Sequence, residues 1–272
     1  MLRKSLPPSS HRYIRGCAFL ALLLPAAPGV LQAAPRTVHV FVALADNQNQ
    51  GIIPVPGALG NGRDPRRNLY WGAAYGLKTF FKASKEWELV SSSRPSRTAI
   101  LERCIFKNRQ QDVLLVADAY EGSQIKSAVS DFLSAAAGRN KEEIPVRASS
   151  AETSISVGGA ADLIVYVGHD AFMDFQIPPI TGEKGNKPRR TIVLACASKV
   201  FFAPYIRQTG AEPLLWTTGL MAPEAYTLKS ALDGWIAGEN DEAIRQRAAQ
   251  AYNEYQKCGE RAASKLFATG YR

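Results

Sequence analysis

Hydrophobic positions in this chain gather into short unbroken runs. Residues 37–45 (TVHVFVALA), 112–117 (DVLLVA), 162–167 (DLIVYV) and 191–195 (TIVLA) are almost wholly aliphatic or β-branched. Such runs predict strands buried on both faces. Shorter runs at 87–91 and 214–217 predict two more strands, and 100–106 is a further apolar run of ambiguous period. Between them the period changes to that of helices. Residues 123–137 place Ile125, Val129, Phe132 and Leu133 at core spacing, with Gly138 positioned to end the helix. Residues 69–82 read as a helix with its aromatic residues on one face, and 198–208, 223–237 and 241–257 as three more.

Buried strands alternating with amphipathic helices predict an α/β fold: a mostly parallel sheet covered by helices on both faces. Neither an internal repeat nor a linker interrupts 35–272, so one domain is expected there. Sites in such sheets form at the carboxyl ends of the strands. The polar residues at those ends are Asp46, Asn47, Asp118, His169, Cys196, Thr217 and Thr218.

Residues 1–34 have a different character. Arg3, Lys4, Arg12 and Arg15 precede the apolar run 17–24, and Pro25, Pro28 and Gly29 lead to Ala33 and Ala34. This order is that of a secretory signal peptide, and the run is short for a membrane span. The expectation is an exported protein, periplasmic or extracellular, with no stable membrane insertion once the leader is cut. The net charge of +9 falls to +5 without that segment, and the remaining basic residues are scattered apart from Arg63/Arg66/Arg67 and Lys184/Lys187/Arg189/Arg190. That pattern argues against a nucleic-acid partner. With 272 residues, 46% of them hydrophobic, the chain has material for a substantial core without disulfide staples. Cys104, Cys196 and Cys258 remain after the leader, an odd number; Cys104 and Cys258 are free to pair or not.

His39 lies inside the first strand, where a structural role is expected. His169 and Cys196 each stand just past a buried strand, 27 residues apart. On neighbouring strands, a thiol and an imidazole placed this way meet as nucleophile and base. A nearby imidazole would lower the thiol pKa. Backbone N–H groups around Gly168–Asp170, those of Gly168 and Asp170 among them, and at Cys196 are placed to stabilise an oxyanion. The alternative is a buried cysteine and a Gly-His turn.

The strand 163–167 leading to His169, and the strand 192–194 leading to Ala195-Cys196, resemble the caspase/legumain/gingipain group of cysteine peptidases, with the caspase-hemoglobinase fold. The resemblance implies a caspase-like domain, His169 as general base, Cys196 as nucleophile, no cofactor and no metal. It also implies that 214–219, with Trp216, Thr217 and Thr218, lines a substrate cleft; Trp216 belongs equally well in a core. Two departures stand out. Asp170 occupies the family's Gly position after His, and Leu194 and Ala197 replace the residues flanking Ala-Cys in caspases.

The loop 46–68 is long for a compact domain and rich in amides. It reads either as a binding loop or as turn chemistry. Asp46, Asp118 and Asp170 are available to meet a basic substrate group, or are solvated strand ends. No G-x-S-x-G, C-x-x-C, H-E-x-x-H or phosphate loop occurs in context. Three readings follow. One is an exported cysteine hydrolase, a peptidase acting on a peptide or protein substrate. Another is a non-catalytic caspase-like binding protein of the cell envelope, holding a peptide or protein partner. The last is a structural α/β domain whose interaction surface is on the C-terminal helices.

Overall fold

The computed structural model describes residues 1–2, 34–148, 151–183 and 189–272. The chain separates into Met1–Ala34 and Pro35–Arg272. The expected leader, with Lys184 and Lys187, lies outside the described residues, and the architecture below is that of Pro35–Arg272.

In chain order the elements are β1 (Arg36–Ala43), α1 (Leu77–Ala83), β2 (Trp87–Ser93), β3 (Ile100–Asn108) and β4 (Val113–Tyr120). Then come α2 (Ile125–Ala136), β5 (Glu142–Ala148), β6 (Ala151–Val157), β7 (Leu163–Val167), β8 (Arg190–Leu194) and α3 (Ser198–Thr209). The chain closes with β9 (Glu212–Thr217), α4 (Ala225–Ile236), α5 (Asp241–Gln256), α6 (Glu260–Leu266) and β10 (Phe267–Ala268). The fold is α/β, built on an eight-stranded mixed sheet of order β10-β9-β8-β7-β1-β4-β3-β2. The pairs β9-β8, β8-β7, β7-β1 and β1-β4 are parallel, and β10, β3 and β2 add antiparallel edges. The strands expected to be buried on both sides are so: β4 and β7 are buried at every position.

Strand alternation divides the core. Val38, Val40 and Val42 pack with Leu77 and Phe81 of α1, Leu228 and Leu232 of α4, and Ile244 of α5. Phe41, Ala43, Ile164, Tyr166 and Val193 pack on the other face with Val129 and Phe132 of α2 and Phe202 and Ile206 of α3. Ile144, Val146 and Ile155 of the β5-β6 hairpin cover Ile105 and Val116 separately. The sequence pattern did not reveal this hairpin, because its strands alternate and are half polar.

The helix expected over 69–82 forms only from Leu77. Gly72 and Gly76 interrupt the segment, and the Asn68 carbonyl gathers the N–H groups of Trp71, Gly72 and Ala73 into turns. Cys104 is wholly buried and Cys258 exposed, and both are free thiols, so the pairing left open above does not form. Burial pushes the Cys104 thiol up to about 12. Among the described residues no helix is long and apolar enough to cross a membrane.

Candidate active site

The strands that carry His169 and Cys196 are neighbours. Val167 of β7 is paired with Leu194 of β8, so His169 and Cys196 each follow the last paired position by two residues. The Gly168 N–H extends this ladder to the Leu194 carbonyl at 3.2 Å. That bond removes Gly168 from the oxyanion donors expected from sequence. The Asp170 N–H donates no hydrogen bond among the described residues. Gly168 itself has φ of 152° and would bring a β-carbon within 2.9 Å of the Ala43 carbonyl oxygen, which accounts for glycine there.

His169 is buried, and its Nε2 lies 2.8 Å from Oδ2 of Asp174. A carboxylate only accepts, so Nε2 carries the proton and Nδ1 is the free base. Asp174 was not singled out in the sequence; the signal was its place five residues after the histidine, at the end of a tight 3₁₀ turn, Ala171–Met173. The same oxygen accepts the Gly51 N–H at 3.0 Å, which ties the loop after β1 to the histidine. The His169 carbonyl accepts from the Tyr166 hydroxyl at 2.8 Å.

Cys196 sits in a sharp strand-to-helix turn. The next residue, Ala197, is left-handed (φ 48°, ψ 30°) and opens the twelve-residue α3. A non-glycine residue there stores strain, a feature that clusters at functional sites. Thr217 holds the turn from β9. Its hydroxyl donates to the Ala195 carbonyl and accepts the Ser198 N–H at 3.2 Å, while its own N–H reaches the Ser198 hydroxyl at 3.0 Å. The Ala197 N–H bonds the Gly219 carbonyl at 2.8 Å. The thiol is half-buried and faces the backbone of Met221, accepting its N–H at 3.4 Å and donating to its carbonyl at 3.5 Å.

No hydrogen bond joins His169 to Cys196 among the described residues. Burial pushes the Cys196 thiol up, the Met221 N–H pulls it back, and the charge of Asp170 pushes it further. The resting thiol is therefore not the low-pKa thiolate expected from the His-Cys spacing, because the imidazole is turned to Asp174 and the nearest acting charge is negative. Asp170 is wholly buried. Its Oδ1 accepts the Phe172 N–H at 3.0 Å, and its Oδ2 has no partner. Burial pushes its carboxyl up to about 7, Phe172 opposing and Asp174 adding to the rise.

The remaining sequence candidates fall elsewhere. Asp118 is buried between Arg103, bidentate at 2.6 and 2.7 Å, and Nε2 of His39 at 3.1 Å. Burial raises its pKa, but these partners outweigh it and hold the carboxyl below its usual range. Its carboxylate is taken by the core rather than offered to a substrate. His39 is neutral in role: Nδ1 accepts the Gly158 N–H at 3.0 Å and Nε2 donates to Asp118. Asp46 closes a turn, accepting the N–H groups of Gln48 and Asn49 at 2.9 and 3.2 Å. Asn47 clamps Val55 through both its amide atoms. The loop is thus internally bonded, as turn chemistry requires. Trp216 is wholly buried against Tyr271 and belongs to the core. Thr218 is pinned to α6, its hydroxyl 2.7 Å from the Lys265 carbonyl. No three His, Cys, Asp or Glu side chains are grouped to hold a metal ion among the described residues. Comparison with protein-family models, curated proteins and solved structures returns no match.

Proposed function

We propose that this chain is an exported cysteine hydrolase of the caspase-like kind acting on peptides, with Cys196 as nucleophile, His169 as general base and Asp174 holding the imidazole. The observation that carries the reading is the in-register emergence of His169 and Cys196 from adjacent parallel strands. In the reaction, Nδ1 of His169 takes the Sγ proton and the sulfur attacks the scissile carbonyl carbon. The carbonyl electron pair moves onto oxygen. Collapse expels the amine, which takes the proton from His169. Water, deprotonated by the same imidazole, then cleaves the thioester and returns the free thiol.

Peptide substrates are favoured by apolar side chains left exposed in the segments after the strands. Ile53, Met173, Val200 and Leu220 are exposed large hydrophobic residues in the segments that follow β1, β7, β8 and β9. A peptide laid over such side chains would bury apolar surface. The test is hydrolysis of a mixed-sequence peptide library, followed by mass spectrometry, against Cys196→Ala and His169→Ala. Cleavage that both variants abolish supports the reading; cleavage that persists in Cys196→Ala overturns it.

One arrangement favours a second reading, a caspase-like protein that binds peptides without cutting them. The thiol is closed against Met221, and Asp170 opposes its ionisation. In that case the library is retained at the same edge and recovered intact.

A further inference from the structure

We propose that the cleft between α1, α4 and α5 binds a small organic cation, an alkylated ammonium group held against Tyr255 and attracted by Glu86, Asp233 and Glu254. This second site goes beyond the hydrolase reading and does not depend on it. The cleft has a volume of about 350 Å³, and none of His169, Asp170, Asp174 and Cys196 lines it. One part of its wall is aromatic: Phe80 from α1, Tyr226 from α4 and Tyr255 from α5. The rings leave one face open. Tyr226 and Tyr255 stack in parallel, with centroids 4.2 Å apart. Tyr75 lies 5.9 and 5.2 Å from the two, and Phe80 6.4 and 6.0 Å, each nearly perpendicular to the stack. A ring at similar distances from both members of a stack sits beside it, not over its end. Tyr226 is buried, whereas Tyr255 is 38% exposed, so the free end of the stack is the outer face of Tyr255. Among the described residues cations stand over Trp235, Phe175 and Tyr271, and none over Tyr255.

The charge of the same walls is unbalanced. Glu86, Asp233 and Glu254 line the cleft together with a single cation, Lys229. Lys229 is shared, its Nζ lying 2.9 Å from Asp233 and 3.4 Å from Glu86. Arg247, the other cation that acts on Asp233, is bidentate on Glu239. Glu254 has no ion-pair partner among the described residues, while acids elsewhere, such as Asp118 and Glu102, have their own cations. Burial raises the Asp233 carboxyl, and Lys229 opposes that rise without cancelling it. Three carboxylates thus face one ammonium beside an open aromatic face. A cation gains from the ring quadrupole and from the excess negative charge together. A neutral ligand of the same shape gains from neither.

The probe is choline, titrated into the isotope-labelled protein at fixed low ionic strength and followed by backbone amide shifts. Its comparison is the neutral isostere in which carbon replaces the quaternary nitrogen. Choline is expected to shift amides within 80–86, 226–233 and 251–255, the segments that line the cleft. It is expected to bind more tightly than the isostere by roughly three- to thirtyfold, the size of one cation–π contact. Tyr255→Leu keeps apolar area but removes the ring, and is expected to weaken choline by about the same factor. Glu254→Gln is expected to weaken it by roughly twofold or more, as an exposed charge contributes at low salt. Equal affinity for choline and its isostere, an affinity unchanged in either variant, shifts confined to other segments, or no saturable shift up to millimolar choline overturns the assignment. If Tyr255→Leu does not fold, the isostere comparison and Glu254→Gln, a change at an exposed position, decide alone.

Discussion

Oδ2 of Asp174 bridges two segments, lying 2.8 Å from Nε2 of His169 and 3.0 Å from the Gly51 nitrogen. One oxygen thus fixes the imidazole tautomer and anchors the loop after β1. Asp174→Asn substitutes an amide that can present N–H to the ring and so favour the wrong tautomer. The expected result is a fall in kcat on the order of 10²-fold or more for peptide hydrolysis. An unchanged kcat would remove Asp174 from the machinery.

Asp170 gives a pH-dependent stability. Burial keeps its proton to about pH 7, against an ordinary value of 3.8. Between those values the unfolded chain gains by ionising and the folded chain does not, so this group lowers stability as pH rises through that window. In Asp170→Asn the dependence disappears. The melting temperature of the variant, relative to wild type, is expected to climb by a few degrees from about pH 4 to about pH 7 and then to level. A constant difference across that range would contradict the burial argument. The same variant removes the charge that opposes the thiolate, so its Cys196 alkylation profile moves to lower pH.

Much of this was legible in the chain, for physical reasons that vary by element. β4 and β7 are buried on both faces, so their apolar runs were unambiguous. His169 and Cys196 follow such runs directly, and strand adjacency then brings them to one edge. The β5-β6 hairpin covers only one side of β3 and β4, which leaves its pattern mixed. Asp174 carries no periodic signal, since it acts through a tertiary partner, His169. Asp118 and Trp216 stood at or near strand ends like the site residues, but Arg103 and Tyr271 draw them into the core.

Arg103 joins Asp118 and Glu142 through paired bonds, and Asp118 is almost inaccessible. Arg103→Met leaves a buried carboxylate without its cation, a loss of about 3–5 kcal/mol. Urea denaturation is the measurement. Cys196 alkylation in the folded variant is expected to match wild type, because the network lies away from the thiol. Asp118 has a depressed pKa in the fold, so its contribution is present above its ordinary value and is lost as pH falls below it.

Thr217 ties β9 to the turn after Cys196 through its hydroxyl and its N–H. Thr217→Val leaves buried groups of Ala195 and Ser198 unsatisfied, at a cost of roughly 1–3 kcal/mol. Amide hydrogen exchange at 196–198 is expected to accelerate more than that of β8. Uniform exchange across both would show that the threonine does not hold the turn.

The central claim is that His169 serves Cys196. The most direct measurement is iodoacetamide alkylation of Cys196, followed by mass spectrometry at pH 6–9, in the wild-type protein and in His169→Ala. The account expects the rate near neutral pH to fall by about tenfold or more in the variant, because Nδ1 of His169 takes the Sγ proton as sulfur attacks, although it does not ionise the resting thiol. The same rate in both proteins at every pH would mean that the imidazole and the thiol act separately, and the hydrolase reading would not stand.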